Sequence, residues 1–326
     1  MKTLRLGSRG SQLALFQARL VAERIQSAGG PACEIVVIKT SGDHLQEAPL
    51  SEIGGKRLFV KEIEDALISG DVDLAVHSSK DMPAVLPDGL EVGAVLERED
   101  PRDALVLPSG KGDGNLFRPG PREKISVPFS ARIGTGSVRR IAQLRQRFPT
   151  AEFLNVRGNL DTRLRKLDSG DYDLLVLAAA GLRRLGFGAR ISVAVPIEEC
   201  VPAPGQGIIA IEIRVDDAAT REAVARVNHD TASRALDAER ALVTTLGGGC
   251  QMPIGGIAQP VGTDELEMHA VVTSLDGARV IRYKKMGTQA DAAALGREVA
   301  GELLKRGAAD ILDESRTPDP KSLRLT

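Results

Sequence analysis

The sequence predicts an α/β protein of two similar lobes followed by a smaller α+β domain. Three observations carry that expectation. Short apolar strand patterns alternate with amphipathic helical stretches over residues 1–200, as they do where sheets are mostly parallel. Two segments within that span each recur. After residue 229 the pattern changes to a long helix, three successive strand-like stretches and a closing helix.

The first recurring segment is Arg5-Leu-Gly-Ser-Arg-Gly-Ser11, matched by Arg132-Ile-Gly-Thr-Gly-Ser137. Each reads as a strand, a glycine turn and a helix. Leu13, Phe16, Leu20 and Ile25 fall near one face of the first helix, and Val138, Ile141 and Leu144 near one face of the second. The other pair is Ser69-Gly-Asp-Val-Asp-Leu-Ala-Val76 and Ser169-Gly-Asp-Tyr-Asp-Leu-Leu-Val176. Both follow a helical stretch and open a buried strand, Val72 to Val76 in the first copy. The copies are spaced differently, so one plan carries different insertions.

The first lobe is therefore assigned residues 1–100 with 208–225, since the strand Ile208 to Ile213 can return to it. The second lobe is 103–200, and Val201-Pro-Ala-Pro-Gly-Gln-Gly207 is a hinge or crossover. Lys111 to Pro128, rich in Gly and Pro, reads as an exposed loop. The C-terminal domain is 229–316. It has a helix from Thr231 to Leu246, the segment Gly247-Gly-Gly-Cys-Gln-Met-Pro253, and strands Ile257 to Val261, Leu266 to Leu275 and Arg279 to Met286. Asp276-Gly277 suits a turn between the last two strands, and a helix from Ala292 to Lys305 closes the unit. Residues 317–326 form a tail expected to fray.

Composition narrows the function. Net charge is −1, Trp is absent and aromatics are 3%, which argues against general nucleic-acid or anionic-membrane binding. The longest apolar run, Leu174 to Leu182, falls far short of the roughly 20 residues of a membrane helix. MKTLRLGSRG has no apolar signal core, so a cytoplasmic setting is expected. Cys33, Cys200 and Cys250 are far apart and form no CxxC pair, which points to neither a disulfide framework nor a zinc site, and no metal is expected.

Open parallel sheets bind ligands at the carboxyl ends of their strands. The segment His77-Ser-Ser-Lys-Asp-Met-Pro83 follows such a strand. Asp81 there is a candidate acid, base or counter-ion to a cation, with Lys80 favouring its ionised form. An ordinary turn capped by Asp81 is the alternative. In Gly134-Thr-Gly-Ser-Val-Arg-Arg140, Ser137 suits a helix cap, and Arg139 and Arg140 stand where a helix start favours an acid. Two arginines there imply an anion between them, or else a solvated helix end. Asn155-Val-Arg-Gly-Asn-Leu-Asp-Thr-Arg163 repeats that character, with a solvated basic helix as its alternative. Cys250 lies among glycines, where a thiol is better presented than buried, while Cys33 and Cys200 read as structural. The alternatives to an enzyme on these features are a two-lobed binding protein for a small anion and, more weakly, a binding core fused to a regulatory domain. A cysteine hydrolase would need a histidine base, and His44, His77, His229 and His269 form no recognisable motif.

The segments RLGSRGSQLAL, IGGKRLFVKEIEDAL, DLAVHSSKDMP, EREDPRDAL, GTGSVRRIAQL, NVRGNLDTRLRKL, LAAAGLRRLG, PAPGQGIIAIE and GGGCQMPIGG, in this order, resemble the porphobilinogen deaminase (hydroxymethylbilane synthase) family across nearly the whole chain. The resemblance implies two lobes like type II periplasmic binding proteins and a C-terminal domain with a three-stranded sheet. It implies a cytoplasmic monomeric transferase of tetrapyrrole (haem and chlorophyll) biosynthesis, with a dipyrromethane cofactor thioether-linked to Cys250. Four porphobilinogen molecules would be condensed head to tail with loss of ammonia, and water would release hydroxymethylbilane. Asp81 would be the catalytic carboxylate, stabilising azafulvene-type cations. By motif, the cofactor would meet Ser78, Lys80, Asp81, Thr135, Ser137, Arg139, Arg140, Arg157, Gly158, Arg163 and Arg184. Substrate would meet Arg9, Ser11, Phe59, Arg157, Arg163, Arg184 and Gln206, with Phe59 alternatively a core residue. Each pyrrole carries an acetate and a propionate. Two like charges 4 Å apart cost about 4 kcal/mol at an effective dielectric near 20, so many fixed cations are needed. Three positions depart from the family pattern: Arg57 where glycine is frequent, Ser79 for methionine and Gly136 for serine. The loop from Lys111 to Pro128 is also longer than usual.

Overall fold

The computed structural model describes residues 2–40, 60–110, 130–248 and 252–316. Phe59, Arg57, Cys250, the loop Lys111 to Pro128 and the tail after Arg316 lie outside the described residues. In the first lobe the order is β1 Leu4–Ser8, α1 Gln12–Ser27, β2 Cys33–Val37, α2 Lys61–Ile68, β3 Leu74–Ser78 and β4 Leu90–Val95. The second lobe runs β5 Asp103–Val106, β6 Arg132–Gly134, α3 Val138–Arg145, β7 Glu152–Leu154, α4 Leu160–Asp168, β8 Leu174–Ala178, α5 Ala179–Arg184 and β9 Val193–Ala194. Then come β10 Ile209–Arg214 and α6 Ala218–Ala225. The C-terminal part is α7 Asp230–Thr245, β11 Ile254–Val261, β12 Glu265–Thr273, β13 Val280–Thr288, α8 Ala292–Lys305 and α9 Ala308–Arg316.

Among the described residues, one sheet has the order β2-β1-β3-β10-β4 and another β7-β6-β8-β5-β9. In each the first three strands are parallel. The fourth is antiparallel and comes from outside the repeated unit, β10 in one sheet and β5 in the other. The chain thus passes between the lobes twice, after β4 and again after β9. β3 and β8 are buried on both faces except at their last residue, as central strands between helical layers are.

The recurring segments have a structural reason. Arg5, on β1, donates from its backbone N and its guanidinium to Asp73, and its Nη2 reaches the Gly70 carbonyl at 2.7 Å. Arg132, on β6, makes the same bonds to Asp173 and to the Gly170 carbonyl at 2.8 Å. In both copies an aspartate just before one central strand is clasped by an arginine on its neighbour.

The expected face of α1 is met at Ile25, which is buried, and at Leu20, which packs against the core, but not at Leu13 and Phe16. Gln17, Ala18, Val21 and Ile25 are buried, whereas Phe16 is exposed and Leu13 faces Gly181 of the second lobe. The helix packs on β1 and β3 through its small and branched residues, and Leu13 serves the lobe interface. In the C-terminal unit α7, α8 and α9 cover one face of the three-stranded sheet through Leu242, Val299, Leu303 and Ile311, which pack with Leu266, Met268 and Val272. The other face, through Ile257 and Val271, rests on Ile197 and Val201 of the second crossing. Full burial of each such side chain contributes about 2 kcal/mol. α9, not anticipated from sequence, buries Ile311 and Leu312.

Candidate active site

β1, β3, β6, β7 and β8 run parallel within their sheets, so the turns that follow them share one edge of each sheet. The antiparallel strands β10 and β5 begin at that same edge, with Ile209 opposite Ser78 and Asp103 opposite Ala178. Both crossings therefore border the turns that carry the candidate residues.

His77 and Ser78 are the last residues of β3, and Ser79–Asp81 is a single 3-10 turn. The turn is seated by Ser79 N donating to the Ile208 carbonyl at 3.0 Å, and buried Met82 anchors its far side. Gly205, with φ of +76°, passes so close that a Cβ there would lie 2.6 Å from Ser79 Oγ and 3.0 Å from Lys80 N. Asp81 is exposed at the tip, Lys80 is half-buried, and Ser78 Oγ is engaged by Gln17 at 2.8 Å.

In the second lobe Thr135 is buried, and Ser137 caps α3 by accepting from Arg140 N. Ser11 caps α1 in the same way, accepting from Ala14 N. Arg139 and Arg140 turn inward and converge on one fully buried carboxylate, Asp103, at 2.8 and 2.7 Å. Gln206 donates to the same carboxylate at 2.9 Å and to the Pro101 carbonyl at 2.7 Å, and Cys200 Sγ lies 3.3 Å from it. The anion that two arginines at a helix start call for is thus Asp103 of the chain itself. Burial alone would push its carboxyl up, but the two arginines hold it well below the usual carboxylate range. Burial and then Asp103 push the Cys200 thiol up to about 12, so it is inert and structural.

Arg157 and Arg163 share the electrostatic surroundings of Arg140, and Arg184 meets the second crossing beside Gln206. Arg163 donates to the Gly158 carbonyl at 2.8 Å, and Arg184 to the Gly207 carbonyl at 2.6 Å. Arg9 and Arg157 are half-buried in the turns after β1 and β7. Burial brings Lys80 down to about 8; Asp81 and Asp103 oppose that shift, while Arg140 and Arg139 add to it. Burial likewise brings Arg163 down to about 10, with Arg140 and Arg157 adding and Asp81 opposing. Arg184 falls to about 10 by burial, against the pull of Glu99. Asp81, Lys80, Arg139, Arg140, Arg157 and Arg163 therefore share one electrostatic neighbourhood.

A cleft joins the three parts of the molecule. Ser79 and Lys80 line it from the first lobe, Ser137 and Arg139 from the second, and Arg240 and Met252 from the C-terminal unit. Met252 stands two residues beyond Cys250 in sequence. Sequence reasoning did not single out Asp103 or Arg240. Asp103 lies inside the EREDPRDAL segment, whereas Arg240 sits on an amphipathic helix with no local signal.

A family model described as porphobilinogen deaminase, dipyromethane cofactor binding domain, matches residues 4–222. A second, described as porphobilinogen deaminase, C-terminal domain, matches residues 234–305. The chain belongs to the porphobilinogen deaminase family. A porphobilinogen deaminase of Syntrophobacter fumaroxidans is 46% identical over 96% of this chain and 98% of its own length. One from Moorella thermoacetica is 44% identical over 98% and 99%. Among solved structures, the VFT2 domain of Bordetella pertussis BvgS covers 69% of this chain and 86% of its own, at 15% identity and a TM-score of 0.40. A likeness of that strength carries no argument, and the fold rests on the sheet topology above. Among the described residues no helix is long and apolar enough to cross a membrane.

Proposed function

We propose that this chain is a hydroxymethylbilane synthase, a transferase of tetrapyrrole biosynthesis. It condenses four porphobilinogen molecules head to tail, losing one ammonia at each step, and releases hydroxymethylbilane by hydrolysis. The observation that carries this reading is the three-sided cleft, where Lys80 and Arg139 from opposite lobes meet Met252 beside the GGC segment.

A dipyrromethane fits this cleft by charge. Lys80, Arg163 and Arg184 are cations that burial has made easier to deprotonate, and Arg140 adds repulsion to the first two. A guest with two carboxylates on every ring adds counter-charge to that which Asp81, Asp103 and Glu99 already supply. Cys250 is assigned as its thioether anchor. When bound, this group supplies an electron-rich terminal pyrrole carbon to which the next unit joins.

The chain's own residues do the rest. Arg157, Arg163 and Arg184, with Arg9, Ser11, Phe59 and Gln206, are assigned to the incoming porphobilinogen. Ser78, Lys80, Thr135, Ser137, Arg139, Arg140 and Gly158, along with Arg157, Arg163 and Arg184, are assigned to the cofactor. Arg139 and Arg140 are pre-oriented by Asp103, so their remaining N–H groups present a fixed pattern to the guest's carboxylates, while Gln206 gives both its amide N–H groups to Pro101 and Asp103 and holds that carboxylate in place. Asp81, exposed at the tip of its turn, faces the cation left when the pyrrole nitrogen's electrons expel ammonia from the aminomethyl carbon. Its carboxylate stabilises that cation, and it accepts the proton that the joined pyrrole carbon gives up. The reading includes a cytoplasmic monomer, which cell fractionation and light scattering would check.

The test is intact-protein mass spectrometry of wild type and Cys250→Ser after incubation with porphobilinogen. A wild-type mass raised by two pyrrole units, and absent from the variant, is the expected result. Wild type with neither adduct nor hydroxymethylbilane, even when supplied with preformed hydroxymethylbilane, would overturn the reading.

A further inference from the structure

Arg139 and Arg140, assigned to the cofactor, stand on α3. Cys250, assigned as its anchor, stands four residues before Ile254, the first residue of β11. The second crossing passes between these two elements at Val201, and both hold it there by its backbone. From α3, the buried Gln143 accepts from Val201 N at 2.8 Å through Oε1 and donates to the Val201 carbonyl at 3.1 Å through Nε2. Arg139 Nη1 donates to the same carbonyl at 2.6 Å. From β11, Gly256 N donates to the Pro202 carbonyl at 2.9 Å. Gly255 lies so close that a Cβ there would be 2.7 Å from the Val201 carbonyl oxygen and 2.8 Å from Val271 Cγ1. One thickness of backbone thus separates the helix of the arginines from the strand that follows the anchor.

A buried amide is costly unless its polar groups are bonded. Gln143 commits one N–H and one oxygen lone pair to a single residue, as a neighbouring strand would. Methionine or an ionised glutamate of similar length has no donor to offer. The packing of Ile257 and Val271 on Ile197 and Val201 is apolar and non-directional, so it brings the C-terminal sheet to the crossing without setting where along it the sheet rests. Arg282 donates to the Glu198 and Glu199 carbonyls, with a longer 3.5 Å bond to Gln143 Oε1, and Gln146 donates to the Gly277 carbonyl. Those contacts keep the two parts docked, whereas Gln143 and Gly255 act on Val201 itself. A covalently tethered guest is not free to drift until it recovers its ion pairs. A displacement of about 1 Å at a reacting group costs as much as 100-fold in rate, so the register of α3 against β11 bears on the chemistry.

We propose that Gln143 is a positioning residue for the condensation: by gripping Val201 it fixes the register of α3 against β11, and with it the reach from the Cys250 anchor to Arg139 and Arg140. This rests on the functional reading above. Gly255 is the complementary part, a position without a side chain on which the crossing is seated. Disturbing either slows cofactor assembly and lowers kcat, while the first-lobe groups assigned to porphobilinogen, and hence KM, are left alone.

The experiment compares wild type, Gln143→Met and Gly255→Ala with Asp173→Ala, which loosens the second lobe at the Arg132 clasp outside the crossing. Cofactor-free chain of each is incubated with preformed hydroxymethylbilane and its mass is followed, and kinetics are then read on the loaded holoenzymes. In Gln143→Met the Val201 carbonyl keeps Arg139, so one buried N–H is left without its acceptor and the fold should hold. The expected result is assembly slowed about 10-fold and kcat lowered about 10-fold in both crossing variants, with KM within twofold. Asp173→Ala should assemble and turn over as wild type does. If Gly255→Ala does not fold, Gln143→Met carries the test. Wild-type assembly and kcat in Gln143→Met would overturn the proposal. So would equal losses in Asp173→Ala, which would make the effect one of general stability, or a raised KM at unchanged kcat, which would move it to substrate binding. A wild type that takes up no cofactor would instead reject the functional reading.

Discussion

Arg98 and Glu239 meet through two 2.7 Å hydrogen bonds where three parts of the chain converge. Arg98 belongs to the first crossing between the lobes and Glu239 to α7. The same fully buried carboxylate accepts from Gly205 N, on the second crossing, at 2.6 Å and from Ala258 N of the C-terminal sheet at 2.8 Å. One side chain thus ties both crossings to the C-terminal unit. Glu239→Ala leaves Arg98 and two backbone N–H groups without their acceptor. The expected loss is about 3–5 kcal/mol of unfolding free energy, read from urea melts. A loss below about 1 kcal/mol would show that the crossings hold without it.

Asp103 plays the corresponding part within the second lobe. Asp103→Asn leaves Arg139 and Arg140 buried with a neutral partner. Stability should fall by about 3 kcal/mol or more, and the folded fraction should assemble cofactor poorly, measured by thermal melts and intact mass. Asp103→Asn with wild-type stability and full cofactor occupancy would show that the arginines need no internal counter-ion.

Asp81 is exposed at the tip of a turn, so its removal should spare the fold. Asp81→Asn is expected to keep its melting temperature within a degree or two while turnover drops by about 10²–10⁴-fold, followed by hydroxymethylbilane release. Ordinary turnover would remove Asp81 from its proposed role.

Lys80 sets a pH dependence. Burial holds its folded-state value at about 8, against 10.5 for an ordinary lysine. Assembly of the dipyrromethane on cofactor-free wild type should weaken as pH rises through about 8, and that inflection should vanish in Lys80→Met. In the cofactor-free Cys250→Ser chain the unfolded state holds the proton longer. The contribution of this group to stability therefore rises with pH between about 8 and 10.5 and is flat below that window. Denaturant melts across that range, with and without Lys80→Met, give the sign.

The two arginine–aspartate clasps share geometry but differ in burial. The Asp73 side chain is 6% exposed and that of Asp173 is 40% exposed. Asp73→Ala should cost about 2 kcal/mol and Asp173→Ala about 1 kcal/mol or less, because an exposed carboxylate's partners can turn to water. Equal losses would mean that backbone clasping outweighs burial.

The sequence by itself determined the α/β class and the repeated plan. Strand and helix periodicities are local, and the Ser-Gly-Asp-x-Asp segments carry their own turn, although the arginine that clasps each second aspartate lies 68 or 41 residues away. It also marked the turns at the strand ends, because Asp81, Arg139, Arg140, Arg157 and Arg163 stand in short glycine- and proline-bearing segments with visible chemistry. On α1 it placed Ile25 and Leu20 against the core but misjudged Leu13 and Phe16, which look like core residues until the second lobe is present to take Leu13. Only the tertiary structure decided how charges pair. Asp103 meets Arg140 across 37 residues, Arg98 meets Glu239 across 141, and His77 meets Glu212 through neighbouring strands brought together by the second crossing. Such partners have no sequence period to reveal them. The pairing is fixed by which strands lie side by side, and by the high cost of burying any of these charges alone.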